Sequence, residues 1–94
     1  MYVYIMTNRP NGTLYIGVTG DLVRRVHQHR THALPGFTDR YNLERLVHFE
    51  HYEEPRLAIQ REKNLKKWYR AWKIALIEKS NPAWRDLWTE IVSG

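Results

Sequence analysis

Two short runs of alternating β-branched and aromatic residues, Met1–Thr7 and Thr13–Thr19, flank the segment Asn8-Arg9-Pro10-Asn11-Gly12. Alternation at that length predicts a strand on each side. Between them Pro10 presets its own φ, and Asn-Gly tolerates positive φ, so the chain is expected to reverse as a hairpin. A register pairing Tyr4 with Tyr15 puts both phenols on one sheet face. It also sets Gly17 opposite Tyr2, where the absent side chain leaves backbone room for a phosphate. A slip of one residue would separate the phenols. The competing reading is that both tyrosines only fill a core, which suits rings that bury so much area.

The rest of the chain reads as helices around one more strand. Asp21 is placed at or near an N-cap. Leu22, Val26 and His29 follow at helical spacing, predicting a helix to about His32. Residues 33–39 read as a loop, and Asn42–Tyr52 as a third strand with Leu43, Val47 and Phe49 among its apolar members. Glu53-Glu54-Pro55 opens a long helix, with Pro in its first turn. Ala58, Glu62, Leu65, Tyr69 and Trp72 share one face of it, and the helical pattern continues through Ile77. Ser80-Asn81-Pro82 breaks the pattern before a last helix at about residues 83–92, with Asn81 as its N-cap. The predicted class is α+β, a three-stranded antiparallel sheet flanked by helices. Its 94 residues make one small domain.

Composition narrows the setting. The chain has no Cys, which removes disulfides and thiolate metal sites and fits a reducing compartment. No apolar run approaches the ~20 residues of a membrane span, and Met1–Met6 lacks the basic start of a secretory signal. A cytoplasmic protein that does not enter the membrane is expected. The net charge is +5 and the pI about 9.7. Between Arg56 and Lys73 there are seven Lys/Arg and a single acid, Glu62. Such one-sided charge attracts phosphate chains, although a solvated helix face reads the same way.

Several side chains carry chemistry at meaningful spacing. Glu62 lies on a stripe that a small domain would bury, and a buried carboxylate needs a partner. A divalent cation is one such partner, since Mg²⁺ is often held by one or two carboxylates plus phosphate oxygens. An ordinary Glu62–Lys66 pair at i, i+4 is the other. Arg25 and His29 also stand at i, i+4. Arg suits bidentate phosphate contact, and His moves protons near neutral pH. A surface arginine beside a half-buried histidine is the plainer alternative. His27, His29 and His32 invite a zinc reading, but without Cys they fall short of the four ligands of a structural site.

Together these residues resemble the GIY-YIG nuclease superfamily in order and spacing. Tyr2-Val3-Tyr4 is similar to its first motif, with Tyr4 at the essential tyrosine, and Tyr15-Ile16-Gly17 is the second motif intact. Asp21 to Arg25 is similar to the helix that follows, with Arg25 at the catalytic arginine. His29 matches a position held there by His or Tyr. Arg61-Glu62-Lys63-Asn64 is similar to the metal-glutamate segment. Gly36-Phe37-Thr38-x-Arg40-Tyr41-Asn42 and Asn81-Pro82-x-Trp84 resemble stretches of the small stand-alone bacterial members. Two positions depart from the pattern. The first motif's glycine is Tyr2 here, and Val18 stands where a lysine often follows the second motif.

The resemblance implies metal-dependent hydrolysis of DNA phosphodiesters, in a repair or recombination setting. It makes Tyr4, Tyr15, Arg25, His29 and Glu62 the catalytic set, with Glu62 binding a single Mg²⁺ or Mn²⁺. Tyr4 becomes the general base, with relay by His29 as an option, and nearby cations are required to lower the phenol's pKa. Gly17, Arg24, Arg40, Tyr41, Lys63, Lys66 and Lys67 become substrate-binding residues. Asn64 and Asn81 both compete for a late asparagine of the site. Relatives usually add a recognition domain, for which no residues remain here. Substrate choice is therefore expected from the catalytic face, a targeting protein partner, or the DNA's own form. Single-stranded, branched and duplex DNA are the candidates, with Trp68 and Tyr41 available to stack on unpaired bases. The alternative is a nucleic-acid-binding module that keeps the fold without catalysis.

Overall fold

A computed structural model describes residues 1–93. Strands β1 (Tyr2–Thr7), β2 (Leu14–Thr19) and β3 (Arg45–His51) form one antiparallel sheet in the order β2-β1-β3. Helices α1 (Leu22–Arg30), α2 (Phe37–Arg40), α3 (Pro55–Lys67), α4 (Arg70–Ser80) and α5 (Trp88–Ser93) cover it. The predicted α+β class and the three antiparallel strands are what the structure has.

Alternation along β1 sorts its side chains onto two cores. Val3 and Ile5 join Ile16, Val47, Ala58, Leu65, Ile77 and Trp84 on the face covered by α3 and α4. Tyr4 and Met6 join Leu22, Val26, Leu43, Leu46 and Leu87 on the face covered by α1 and α5. Each such aliphatic side chain stabilises the fold by roughly 1.5–3 kcal/mol when fully buried. Asp21 does cap α1, its Oδ1 accepting from the Arg24 amide at 3.1 Å, a contact of about 1 kcal/mol.

The hairpin register differs from the expected one. Tyr4 pairs with Gly17, Met6 with Tyr15 and Tyr2 with Thr19. The shift is two residues, so every side chain keeps its face and the phenols still share one, their rings 6.3 Å apart. On the other side of β1 the register advances between Ile5 and Met6, leaving Val47 unpaired in a bulge.

Helix boundaries moved most. The expected helix to His32 ends at Arg30, and the single turn α2 begins inside the predicted loop and ends just past it. The expected long helix is two. Trp68 and Tyr69 are extended, with ψ of 151° and 150°, and end α3 before α4 begins. A straight continuation would carry Ile74 and Ile77 away from the sheet; the break folds α4 back so that they pack on the α3-side core. Tyr69 and Trp72 therefore leave the predicted buried stripe and are 71% and 54% exposed. The third strand starts at Arg45 rather than Asn42, because Asn42 takes φ 55°.

The last helix starts at Trp88, not Ala83. Residues 82–87 instead seal the β3 edge: the Leu87 amide donates to Leu46 O at 2.8 Å, and Asp86 Oδ1 accepts from the Leu46 amide at 3.2 Å. Asn81 is the C-cap of α4 rather than an N-cap. Its buried amide donates to Val47 O and Arg85 O and accepts from the Arg85 amide.

Candidate active site

Gly17 explains how the site is built. A Cβ at this position would lie 2.5 Å from the Tyr4 hydroxyl. The bare backbone is needed by the Tyr4 ring, which crosses β2 there; the expected opening opposite Tyr2 for a phosphate is not what Gly17 provides. The crossing carries the Tyr4 hydroxyl to within 3.0 Å of His29 Nε2. On its other side His29 Nδ1 lies 3.1 Å from Thr38 Oγ1. Helix α1 presents His29 because Val26 and Leu22, one and two turns earlier, are buried on the same face. Helix α2 brings Thr38. Nothing in its residue type marked Thr38 beforehand; only its neighbourhood in Gly36-Phe37-Thr38 singled out the segment.

The titration of these groups follows from burial. Burial, then the neighbouring Tyr15, pushes the Tyr4 phenol up to about 12, against the hydrogen bonding and charge of Arg25 and with a further rise from Glu62. The expectation that cations lower this phenol is thus overturned: Arg25 acts in that direction but is outweighed by desolvation. Burial, and then the Arg25 charge, pushes His29 down to about 4. His29 is neutral at neutral pH. The Arg25 charge favours electron density on the Tyr4 oxygen, so the phenol proton is assigned to the bond with Nε2. Nδ1–H then donates to Thr38. This assignment satisfies all the groups.

Tyr15 packs its ring 5.6 Å from His29 and stacks on Phe37 at 6.3 Å. Phe37 in turn contacts Tyr41, ring centres 4.8 Å apart. Glu62 projects from α3, on the far side of the sheet, near enough for its charge to act on Tyr4. Its side chain is 14% exposed, and Oε2 is paired with Lys66 Nζ at 3.1 Å. The i, i+4 pair set against metal binding is therefore present.

The fit to a divalent cation rests on the donor set. Glu62 Oε1 has no protein partner among the described residues, and carboxylate oxygen suits a hard cation. No group of three or more His, Asp or Glu able to hold a metal occurs among the described residues. A cation here would take one protein carboxylate and fill its remaining positions with water and phosphate oxygens, a pattern Mg²⁺ accepts.

Two grooves flank this cluster. One, about 380 Å³, is lined by Thr19, Gly20, Asp21, Arg24, Arg25 and Gln28. The other, about 260 Å³, is lined by Leu14, Tyr15, Ile16, Phe37, Lys66 and Lys73. Arg24 and Lys66 thus stand in grooves beside the cluster, whereas Lys63, Lys67 and Arg40 are exposed with no contact tying them to it. Asn64 is exposed and bonded by Gln60, and Asn81 is committed to backbone on β3 and the following loop. Trp68 is partly buried against the core with Arg61 over its ring at 5.2 Å, so it is not free to stack. Tyr69 and Trp72 form an exposed aromatic pair instead, ring centres 4.8 Å apart.

The three histidines have separate partners. His29 belongs to the cluster, His32 bridges Asp39 and Glu44, and His27 stacks on Trp88. A second polar network, on the α3 side, was not foreseen. Glu50 accepts from Arg61 Nε and Nη2, from the Tyr52 hydroxyl and from His48. Burial alone would raise its pKa, but these bonds and the Arg61 charge hold it down at about 2.

No helix of the described residues is long and apolar enough to cross a membrane. No curated protein and no solved structure matches the chain. A sequence model of the GIY-YIG catalytic domain does match, over residues 1–75, and so takes in both tyrosine strands, Arg25, His29 and Glu62. With four-fifths of its length inside that match, the chain belongs to the GIY-YIG catalytic domain family, a family of nucleases.

Proposed function

We propose that this protein is a divalent-metal-dependent DNA endonuclease whose base is His29 acting through Tyr4. The observation that carries the reading is the Tyr4–His29–Thr38 chain of hydrogen bonds beside Arg25. A water oxygen attacks phosphorus as the bond to the leaving sugar oxygen breaks. The water's proton moves to the Tyr4 oxygen while Tyr4's own proton moves to His29 Nε2. The phenol never becomes a free phenolate, so its pKa of about 12 is no obstacle. The leaving oxygen takes a proton from solvent.

Thr38 holds the His29 ring and its tautomer. Arg25, whose charge acts on Tyr4 and which lines the adjoining groove, stabilises charge that develops on the phosphate. Tyr15 orients a phosphate oxygen. Mg²⁺ or Mn²⁺ at Glu62, when bound, supplies Lewis-acid charge to the phosphate oxygens.

A DNA strand passing the cluster would run from the Lys66/Lys73 groove to the Arg24/Arg25 groove. Phe37, Tyr41, Tyr69 and Trp72 are exposed, and stacking on such rings stabilises by roughly 1–3 kcal/mol per unpaired base. This favours single-stranded or branched DNA over plain duplex. Lys63, Lys67 and Arg40 then contribute diffuse phosphate attraction.

The test is incubation of the purified protein with labelled single-stranded, duplex, nicked and branched DNA, with Mg²⁺, Mn²⁺ or chelator. Metal-dependent cleavage is expected, strongest where bases are unpaired. It should be absent in Glu62→Gln, which still retards the same DNA in a gel. Retardation by the wild type without cleavage in either metal would leave a nucleic-acid-binding module instead.

A further inference from the structure

Tyr2 occupies the position of the first motif's glycine, and its ring has no place in the chemistry above. It lies on the α1 face of the sheet, ring centre 4.9 Å from that of His51. With Leu22, Val23, Phe49 and Ile91 it lines an open cleft of about 390 Å³. Gly20 and Asp21 line both this cleft and the Arg24/Arg25 groove, so the cleft continues out of the candidate active site.

Two carboxylates, Asp21 and Glu90, also line it. One oxygen of each is committed: Asp21 Oδ1 caps α1, and Glu90 Oε1 pairs with Arg85 at 2.9 Å. Asp21 Oδ2 and Glu90 Oε2 have no hydrogen-bond partner among the described residues. An aromatic and aliphatic floor under two acceptors repels phosphate and suits a flat, neutral group with N–H donors. The arginines that attract phosphate lie in the adjoining groove.

We propose that this cleft receives the nucleobase of a nucleotide beside the cleaved bond, while its phosphate lies on Arg24 and Arg25. The inference rests on the nuclease reading and adds a source of base preference to it. Stacking on Tyr2 and Phe49 accepts any base. The two carboxylates favour cytosine, adenine and guanine, whose exocyclic amines donate, over thymine, whose single N3–H is flanked by two carbonyl oxygens that carboxylates repel.

Two measurements test it. The first titrates ¹⁵N-labelled wild-type protein, without metal, with dCMP, dAMP, dGMP and TMP and follows amide shifts. Shifts centred on Tyr2, Leu22, Val23, Phe49 and Ile91, weakest for TMP, are expected. Shifts confined to the Lys66/Lys73 groove, or TMP equal to the rest, overturn the proposal. The second sequences the products of a random-base DNA pool cleaved by wild type, Tyr2→Phe and Tyr2→Gly. Wild type and Tyr2→Phe should disfavour thymine at one flanking position. Tyr2→Gly should lose that bias, with KM for the preferred site rising on the order of 10-fold. Cleavage without base bias, or bias unchanged in Tyr2→Gly, overturns the base site and leaves the nuclease intact. Nucleotide shifts in the cleft without any cleavage sink the nuclease reading alone.

Discussion

In the proposed mechanism the hydroxyl of Tyr4 and the imidazole of His29 divide one task, and each predicts a different outcome. Tyr4→Phe removes the hydroxyl that the proposal sets between the attacking water and His29, and should lower kcat by about 10²–10⁴-fold. Tyr15→Phe should cost less, since Arg25 still holds the phosphate. Because His29 titrates at about 4 rather than 6.5, the acidic limb of the rate profile should fall near the lower value. A limb near 6.5 would show that the buried imidazole is not the base. Gly17→Ala places a methyl 2.5 Å from the Tyr4 hydroxyl. The ring must move, so the variant should stay folded by circular dichroism yet lose activity comparably to Tyr4→Phe. Full activity in Gly17→Ala would mean that the Tyr4 position is not critical.

Among the elements, α3 does two jobs on adjacent residues. Arg61 ties it to β3 through Glu50, with two bonds of 2.9 and 3.1 Å, while Glu62 stands near enough for its charge to act on Tyr4. Its remaining outward lysines are the proposed electrostatic contact. Replacing Lys63, Lys66 and Lys67 together with Gln should weaken binding of all DNA sequences alike. The salt slope should flatten by about 0.7 per lost single-strand phosphate contact. An unchanged slope would place the DNA elsewhere. Lys66 carries a second consequence. It pairs with Glu62, so Lys66→Gln alone should lower the metal concentration needed for half-maximal cleavage, since one competing cation is gone.

At the scale of the whole molecule, stability should respond to acid in two steps. His29 has a folded pKa of about 4 against 6.5 unfolded, so the unfolded chain binds more protons between these values. Its contribution is complete above 6.5 and is lost as pH falls through about 4, on the order of 3 kcal/mol. Glu50, held at about 2 against 4.5, contributes above 4.5 and loses that as pH falls toward 2. Tm followed by circular dichroism from neutral to strongly acidic pH should drop across both windows, and Arg61→Ala should shrink the lower step. A Tm that stays level down to pH 4 would refute the assignment for His29. What the chain revealed beforehand was local or periodic: the hairpin, the Asp21 cap, the face shared by Tyr4 and Tyr15, and the family motifs within residues 1–75. These depend on neighbours within a turn or on alternation, which residue order carries directly. The break at Trp68-Tyr69 has no glycine or proline to announce it; it exists because Ile74 and Ile77 must return to the sheet. The two-residue register shift, the crossing of β2 at Gly17, the Thr38 contact and the sign of the Tyr4 shift were decided only by tertiary structure. Each depends on which distant groups share a dry, crowded space, and desolvation outweighs the one nearby cation only once that space is formed.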